Sequence, residues 1–268
     1  GAVELYWSGA KHLETYGAGV MIQGNLQVGQ DIAHHGDTDT MMKFPLHNTI
    51  SFETTGNERL RIHQDGQLLV GGVTAARTVL TNYTPRLQIE GIDKSSTSAS
   101  LTANSNSAVG PSFWFAKTRG TSIGSNTVVQ DDDELGTIVF NGADGTDVQS
   151  MGAYIRASVD GTPGSNDMPG RLQFHTTADG STSPTERLRI TSDGKFSLGT
   201  INATPSAAFH LDYDTNNMLM LDNSTASTQK IFFAQNAATH AQIYATSVQG
   251  SLIFDSDPSN NHSTSIIG

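Results

Sequence analysis

The amino-acid sequence predicts an all-β protein built from repeated β-hairpins and small β-sheet modules. Two observations carry this. A long motif occurs twice, and no stretch of the chain shows a convincing helical period. Residues 50–71 read ISFETTGNERLRIHQDGQLLVG, and residues 172–199 read LQFHTTADGSTSPTERLRITSDGKFSLG. Within the copies Leu60 and Ile62 alternate with Arg59 and Arg61, as Leu188 and Ile190 do with Arg187 and Arg189. A period of two makes a strand with one apolar and one basic face, so Leu60, Ile62, Leu188 and Ile190 are expected to be buried. Asp65-Gly66 and Asp193-Gly194 supply the turn chemistry of a tight hairpin.

The motif Glu-Arg-Leu-Arg-Ile, then Asp-Gly, then a strand ending in Gly resembles the hairpin repeat of bacteriophage tail fibres. The stretch from Pro111 (PSFWFAKTRGTSIGSNTVVQDDDELGTIVFNGADGTD) through GAYIRASVDGTPGSNDMPGRLQFHTT is similar to a module of the same fibres. The likeness covers roughly residues 50–200, and residues 2–29 resemble another fibre repeat more loosely. The resemblance implies an elongated homotrimeric fibre with a structural and host-attachment role in the virion.

Composition points the same way. Hydrophobic residues make up 36% of 268 residues, and there are 27 glycines, which leaves a lone chain little with which to build a core. Several copies that bury their apolar faces together resolve this. The net charge of −11 excludes the basic surface that nucleic-acid binding needs and suits a rod that must not aggregate. With no cysteine there is no disulfide framework and no thiol-bound zinc, as expected of a virion component folded in the host cytoplasm. No signal peptide pattern and no membrane-spanning apolar run is visible, so membrane insertion is not expected.

Taken in order, residues 1–48 read as an N-terminal shaft repeat and linker, with 30–48 expected to be loop because three His and three Asp interrupt any strand period. Residues 49–85 form the first hairpin unit and its connector, and 86–171 a β-strand module with strands at 86–90, 100–104, 113–117, 137–140 and 153–157. Residues 172–207 form the second hairpin unit. Residues 208–268 are a shorter β-strand module, truncated before a third hairpin. Leu87-Gln88-Ile89 corresponds to Phe209-His210-Leu211, and Phe113-Trp114-Phe115-Ala116 to Ile231-Phe232-Phe233-Ala234. The second module lacks the Thr137–Phe140 strand and the loop at 161–170.

No motif for catalysis stands out: there is no G-x-S-x-G, HExxH, P-loop or dinucleotide fingerprint. The acidic run Asp131-Asp132-Asp133-Glu134 lacks the spacing of a calcium loop and reads as solvated. His34-His35 with Asp31, Asp37 and Asp39 lacks the His-x-His spacing of metal-bearing fibres. No cofactor is expected, and the reading is non-enzymatic. Two other readings stay open on sequence: a tailspike glycan depolymerase with carboxylates between subunits, and a bacterial surface adhesin.

The expected partners are two further copies of the chain, other tail proteins of the virion, and a host surface glycan or outer-membrane receptor. Recognition is expected in what the second module lacks, the loops at 118–136 and 158–170. The residues chosen are Trp114 and Arg119, then Asp131, Asp132, Asp133, Asn166 and Asp167. An exposed aromatic face and a guanidinium fork suit a glycan or acidic polymer.

Overall fold

A computed structural model describes residues 3–16, 19–22, 25–199, 205 and 207–212, together with the backbone of four strands between 229 and 266. The described residues are all-β, in several sheets, and no helix among them is long and apolar enough to cross a membrane. The chain divides into two compact units, Gly1–Glu186 and Arg187–Gly268. The expected strand at 218–221 lies outside the described residues.

In the first unit β1 (Glu4–Trp7), β2 (Ala10–Tyr16) and β3 (Gly19–Ile22) form an antiparallel sheet. A second sheet runs in chain order through β4 (Asp31–His34), β5 (Asp37–Lys43), β6 (Ile50–Thr54), β7 (Asn57–Ile62), β8 (Leu68–Val70) and β9 (Leu87–Ile89). The hairpin β4–β5 corrects the loop expected at 30–48. Its polar residues hide a real period of two: Ile32 pairs with Met42 on one face, and Asp31 with Lys43 on the other. Phe44 N still donates to Gln30 O at 2.9 Å beyond the end of β5, and Pro45, which has no N–H, follows it.

The hairpin β7–β8 turns through His63–Gln67. The amide of His63 donates to Gln67 O at 2.9 Å and that of Gly66 to His63 O at 2.8 Å, with Gly66 at φ 82°. In the second unit β13 (Thr185–Ile190), which begins at the unit boundary, turns into β14 (Phe196–Gly199) with the same bonds. Thr191 N donates to Lys195 O at 2.9 Å and Gly194 N to Thr191 O at 3.0 Å, with Gly194 at φ 77°. These turns require a positive φ that only glycine adopts without strain.

Each hairpin is then extended by a parallel strand in equivalent register. Leu68 pairs with Leu87 and Val70 with Ile89; Phe196 pairs with Phe209 and Leu198 with Leu211 of β15 (Phe209–Asp212). The glycine that closes each motif explains itself here. Gly71 and Gly199 both have φ 104°, and a Cβ on Gly71 would stand 2.0 Å from the carbonyl oxygen of Glu90 on the way out of β9.

Paired residues share a face, so the second sheet carries an apolar row across six strands: Ile32, Met42, Phe52, Leu60, Val70 and Ile89. Ile50, Ile62, Leu68 and Leu87 form another beside it. The opposite row reads Asp31, Lys43, Ser51, Arg61, Leu69 and Gln88. This polar face is the one covered within the chain. Arg61 is 6% exposed and Leu69 1%, whereas Ile62 is 40% exposed and Leu60 half-buried.

The expected burial of Leu60, Ile62, Leu188 and Ile190 therefore fails in the single chain. Ile190 is exposed and Leu188 only half-buried. For Leu60 and Ile62 the physical reason is the parallel crossover: residues 71–86 must pass over one face to bring β9 beside β8. They are tied to the polar one by Gln88, which accepts from Arg77 N at 2.9 Å and donates to Pro85 O at 3.1 Å.

The third sheet contains β10 (Glu134–Gly142), β11 (Ser150–Val159) and β12 (Gly170–Thr176), all antiparallel. It too has an apolar face, on which Ile138, Ile155 and Phe174 pair across the strands, and a polar one on which Thr137, Arg156 and Gln173 do. In the second unit β16 (Gln229–Gln235), β17 (Ala238–Ala245), β18 (Leu252–Asp255) and β19 (Ser263–Ile266) make an antiparallel meander. Strands expected at 100–104 and 113–117 are absent. Their alternation is real, but no strand of the described residues lies alongside to pair with them.

Among the described residues the buried hydrophobic side chains are Leu69, Val129 and Val159. At roughly 1.5–3 kcal/mol apiece they make a small core for the described residues.

Candidate functional site

The loops at 118–136 and 158–170 meet beside the start of β10, and the acidic run is what joins them. Each carboxylate has a different task. Asp131 Oδ1 accepts from the backbone N–H of Gly161 at 2.7 Å, which reaches from one loop to the other. Asp132, at φ 68°, turns the chain into β10. Its carboxylate receives Arg171 Nη2 at 2.5 Å, while Arg171 Nη1 donates to Asp160 Oδ1 at 3.2 Å and Val159 O at 2.9 Å.

Asp133 takes a two-point bond from Arg119, Nε to Oδ2 at 2.6 Å and Nη2 to Oδ1 at 2.7 Å. The same Oδ2 accepts from Gln130 N at 2.9 Å. These bonds, led by the guanidinium, hold the Asp133 carboxyl well below the ordinary aspartate range. Backbone bonds finish the seam: Asp132 N donates to Val159 O at 3.2 Å and Val159 N to Asp133 O at 2.8 Å.

Four of the residues chosen from sequence, Arg119, Asp131, Asp132 and Asp133, are thus brought together. Arg119 pairs with Asp133, Asp132 pairs with Arg171, and Asp131 is held by backbone N–H groups; sequence reading missed Arg171 because it sits on a strand far along the chain. Asn166 and Asp167 form a separate turn, closed by Gly164 N to Asp167 O at 3.0 Å with Asn166 at φ 58°. Asp160 receives Arg171 Nη1 at 3.2 Å. Trp114 is 84% exposed.

The polar face of the third sheet holds a second group that the sequence offered only as alternation. The rings of Tyr154 and His175 stack at 4.0 Å and 18°. The guanidinium of Arg156 lies 4.7 Å from the tyrosine centroid and ion-pairs with Glu134 at 3.1 Å. Glu186 accepts from Gln173 Nε2 at 2.7 Å and lies 3.8 Å from His175 Nε2. Partial burial raises the Tyr154 phenol. This is a packed, polar-aromatic ladder in which Arg156 is compensated by Glu134. Among the described residues no three His, Asp or Glu side chains gather to hold a metal ion.

No protein-family model matches the chain, and no curated protein sequence matches it. Among solved structures, the carboxy-terminal domain of the bacteriophage T5 L-shaped tail fibre is similar with a TM-score of 0.47 and 16% identity, over 84% of this chain and 98% of that one. The same domain with its intramolecular chaperone domain gives 0.43 and 13%, over 84% of this chain and 60% of that one.

Proposed function

We propose that this chain is a structural segment of a bacteriophage tail fibre that assembles as a homotrimer and takes part in attachment to the host cell. Other tail proteins of the virion hold it, and it carries no enzymatic activity. The observation that carries the reading is the apolar row of six strands, Ile32 to Ile89, which faces outward while the polar row with Arg61 faces inward. A sheet built this way gains most by laying that row against copies of itself on a shared axis. The hairpin with its added parallel strand, present twice in equivalent register, supports the fibre reading as a repeated building unit.

Host contact, to a surface glycan or outer-membrane receptor, falls on the loops at 118–136 and 158–170 together with Trp114. With Arg119 and Asp131–Asp133 spent on holding those loops together, their contribution to recognition is shape. Antibodies against the purified chain test the assignment: they should decorate the tail fibres of intact virions in electron micrographs. Decoration of the capsid, or of no fibre, overturns it.

A further inference from the structure

Residues 99–118 are all described, yet none of their backbone groups bonds to another backbone group among the described residues. A turn at 94–97 precedes them, and the next backbone bond is Arg119 N to Thr127 O. A long stretch without backbone pairing is unusual beside sheets. It also holds the most strand-like sequence in its region, Ser112-Phe113-Trp114-Phe115-Ala116-Lys117. Phe113 and Trp114 are 76% and 84% exposed.

Three further observations say what this segment fits. First, β10 is an edge strand: it pairs with β11 on one side and with no described strand on the other. That edge is apolar on both faces, with Ile138 and Phe140 on one and Val139 on the other, all exposed. The segment matches it, with Phe113 and Phe115 on one side and Trp114 on the other. Second, Ile231-Phe232-Phe233-Ala234, matched to this segment in sequence, instead takes the place of β10: it lies within β16, pairs antiparallel to β17 and shifts register after Phe233 as β10 does after Phe140. The second module therefore has a counterpart of the Thr137–Phe140 strand, which corrects the sequence expectation, and among the described residues no strand of it takes the place of residues 112–117.

Third, the segment does not use the edge of its own chain. Phe115 stands over Gly136, where a Cβ would meet Phe115 Cβ at 2.6 Å. A Cβ points away from the sheet plane, so Phe115 lies over the face and not beside the edge. Its root is clasped there by Arg119 on Asp133 and by Thr118 Oγ1 donating to Thr127 O at 2.9 Å.

We propose that residues 112–117 form a strand donated to a second copy of this chain, completing the free edge of its β10. The exchange rests on the reading that the chain self-associates and adds which backbone joins the copies. It removes an exposed apolar edge, a liability in any sheet protein, by strand addition between copies.

The chain has no cysteine, so introduced thiols are the only ones. Trp114→Cys and Val139→Cys are made as separate full-length variants, co-expressed, and treated with a short bismaleimide that tolerates a slip in register. Phe113→Cys with Phe140→Cys serves if the first pair folds poorly. The expected result is a covalent dimer in the mixture, roughly tenfold or more above either variant alone, since docking raises the local thiol concentration. Light scattering on the same sample separates the two readings. Assembled material without the mixed dimer overturns strand donation alone, and so does a double variant that links only within its own chain. A folded monomer overturns both strand donation and self-association.

Discussion

Arg61 donates two hydrogen bonds to Glu58, from Nε at 2.7 Å and from Nη2 at 2.6 Å. This ion pair, and not the neighbouring Ile62, is what the chain turns inward. The arginine side chain is 7% exposed and the glutamate 14%. Removing one partner leaves the other charge largely out of water, whereas replacing both is far milder. Arg61→Ala is expected to cost about 3 kcal/mol, and Arg61→Met with Glu58→Leu much less. Denaturant unfolding of the single and double variants checks the difference. Equal losses would remove the pair from the account.

The glycine that ends each motif should be the least replaceable. At Gly71 an alanine meets both a left-handed backbone and the carbonyl oxygen of Glu90. At Gly66 the nearest obstacle is the flexible tip of Arg86, 3.1 Å away. Gly66→Ala should therefore cost on the order of 1 kcal/mol, and Gly71→Ala distinctly more, because backbone must move. Thermal melts of the two variants give the order, and a milder effect at Gly71 would contradict the close approach.

The Asp133 carboxyl is held below its ordinary value of 3.8 in the folded chain, first by Arg119 and then by the amide of Gln130. A depressed carboxylate contributes stability that is fully present above the unfolded value and is lost as pH falls through the folded one. The seam between the two loops should accordingly persist through mild acid and open only below the usual aspartate range. Hydrogen exchange at the Gln130 and Val159 amides, followed against pH, reads this directly. Asp133→Asn should expose the Gln130 amide at neutral pH while β11 and β12 stay protected.

How much of this was legible in the sequence follows from what local pattern encodes. Asp65-Gly66 and Asp193-Gly194 announce their turns because turn chemistry is local. The alternation of Leu60 and Ile62 gives the strand but not its buried side. That depends on which face the connector 71–86 covers, a fact held by Gln88 far along the chain. The hairpin at 31–43 was obscured by Asp and His on its faces. Arg119 and Asp133 stand at the two ends of one polar loop in the sequence, yet nothing in their spacing says that they bind each other. Arg171, which completes the seam, gave no signal beyond strand alternation.

If recognition rests on the two loops, shortening 120–126 and 162–168 to Gly-containing turns, which spares β10–β12 and the Arg119–Asp133 clasp, should abolish adsorption of the purified protein to host cells without changing its assembly. Trp114→Ala should weaken adsorption severalfold, in the range that a stacked aromatic commonly contributes. Trimmed protein that assembles and adsorbs as before would place recognition elsewhere.

The central claim is that the outward apolar row is an interface between copies. Light scattering on the size-fractionated protein tests it most directly. The account predicts three times the mass of the chain for the native protein, and dissociation when Leu60 and Ile62 are both replaced by Asp. A stable, folded, native monomer with Ile62 open to solvent would contradict it.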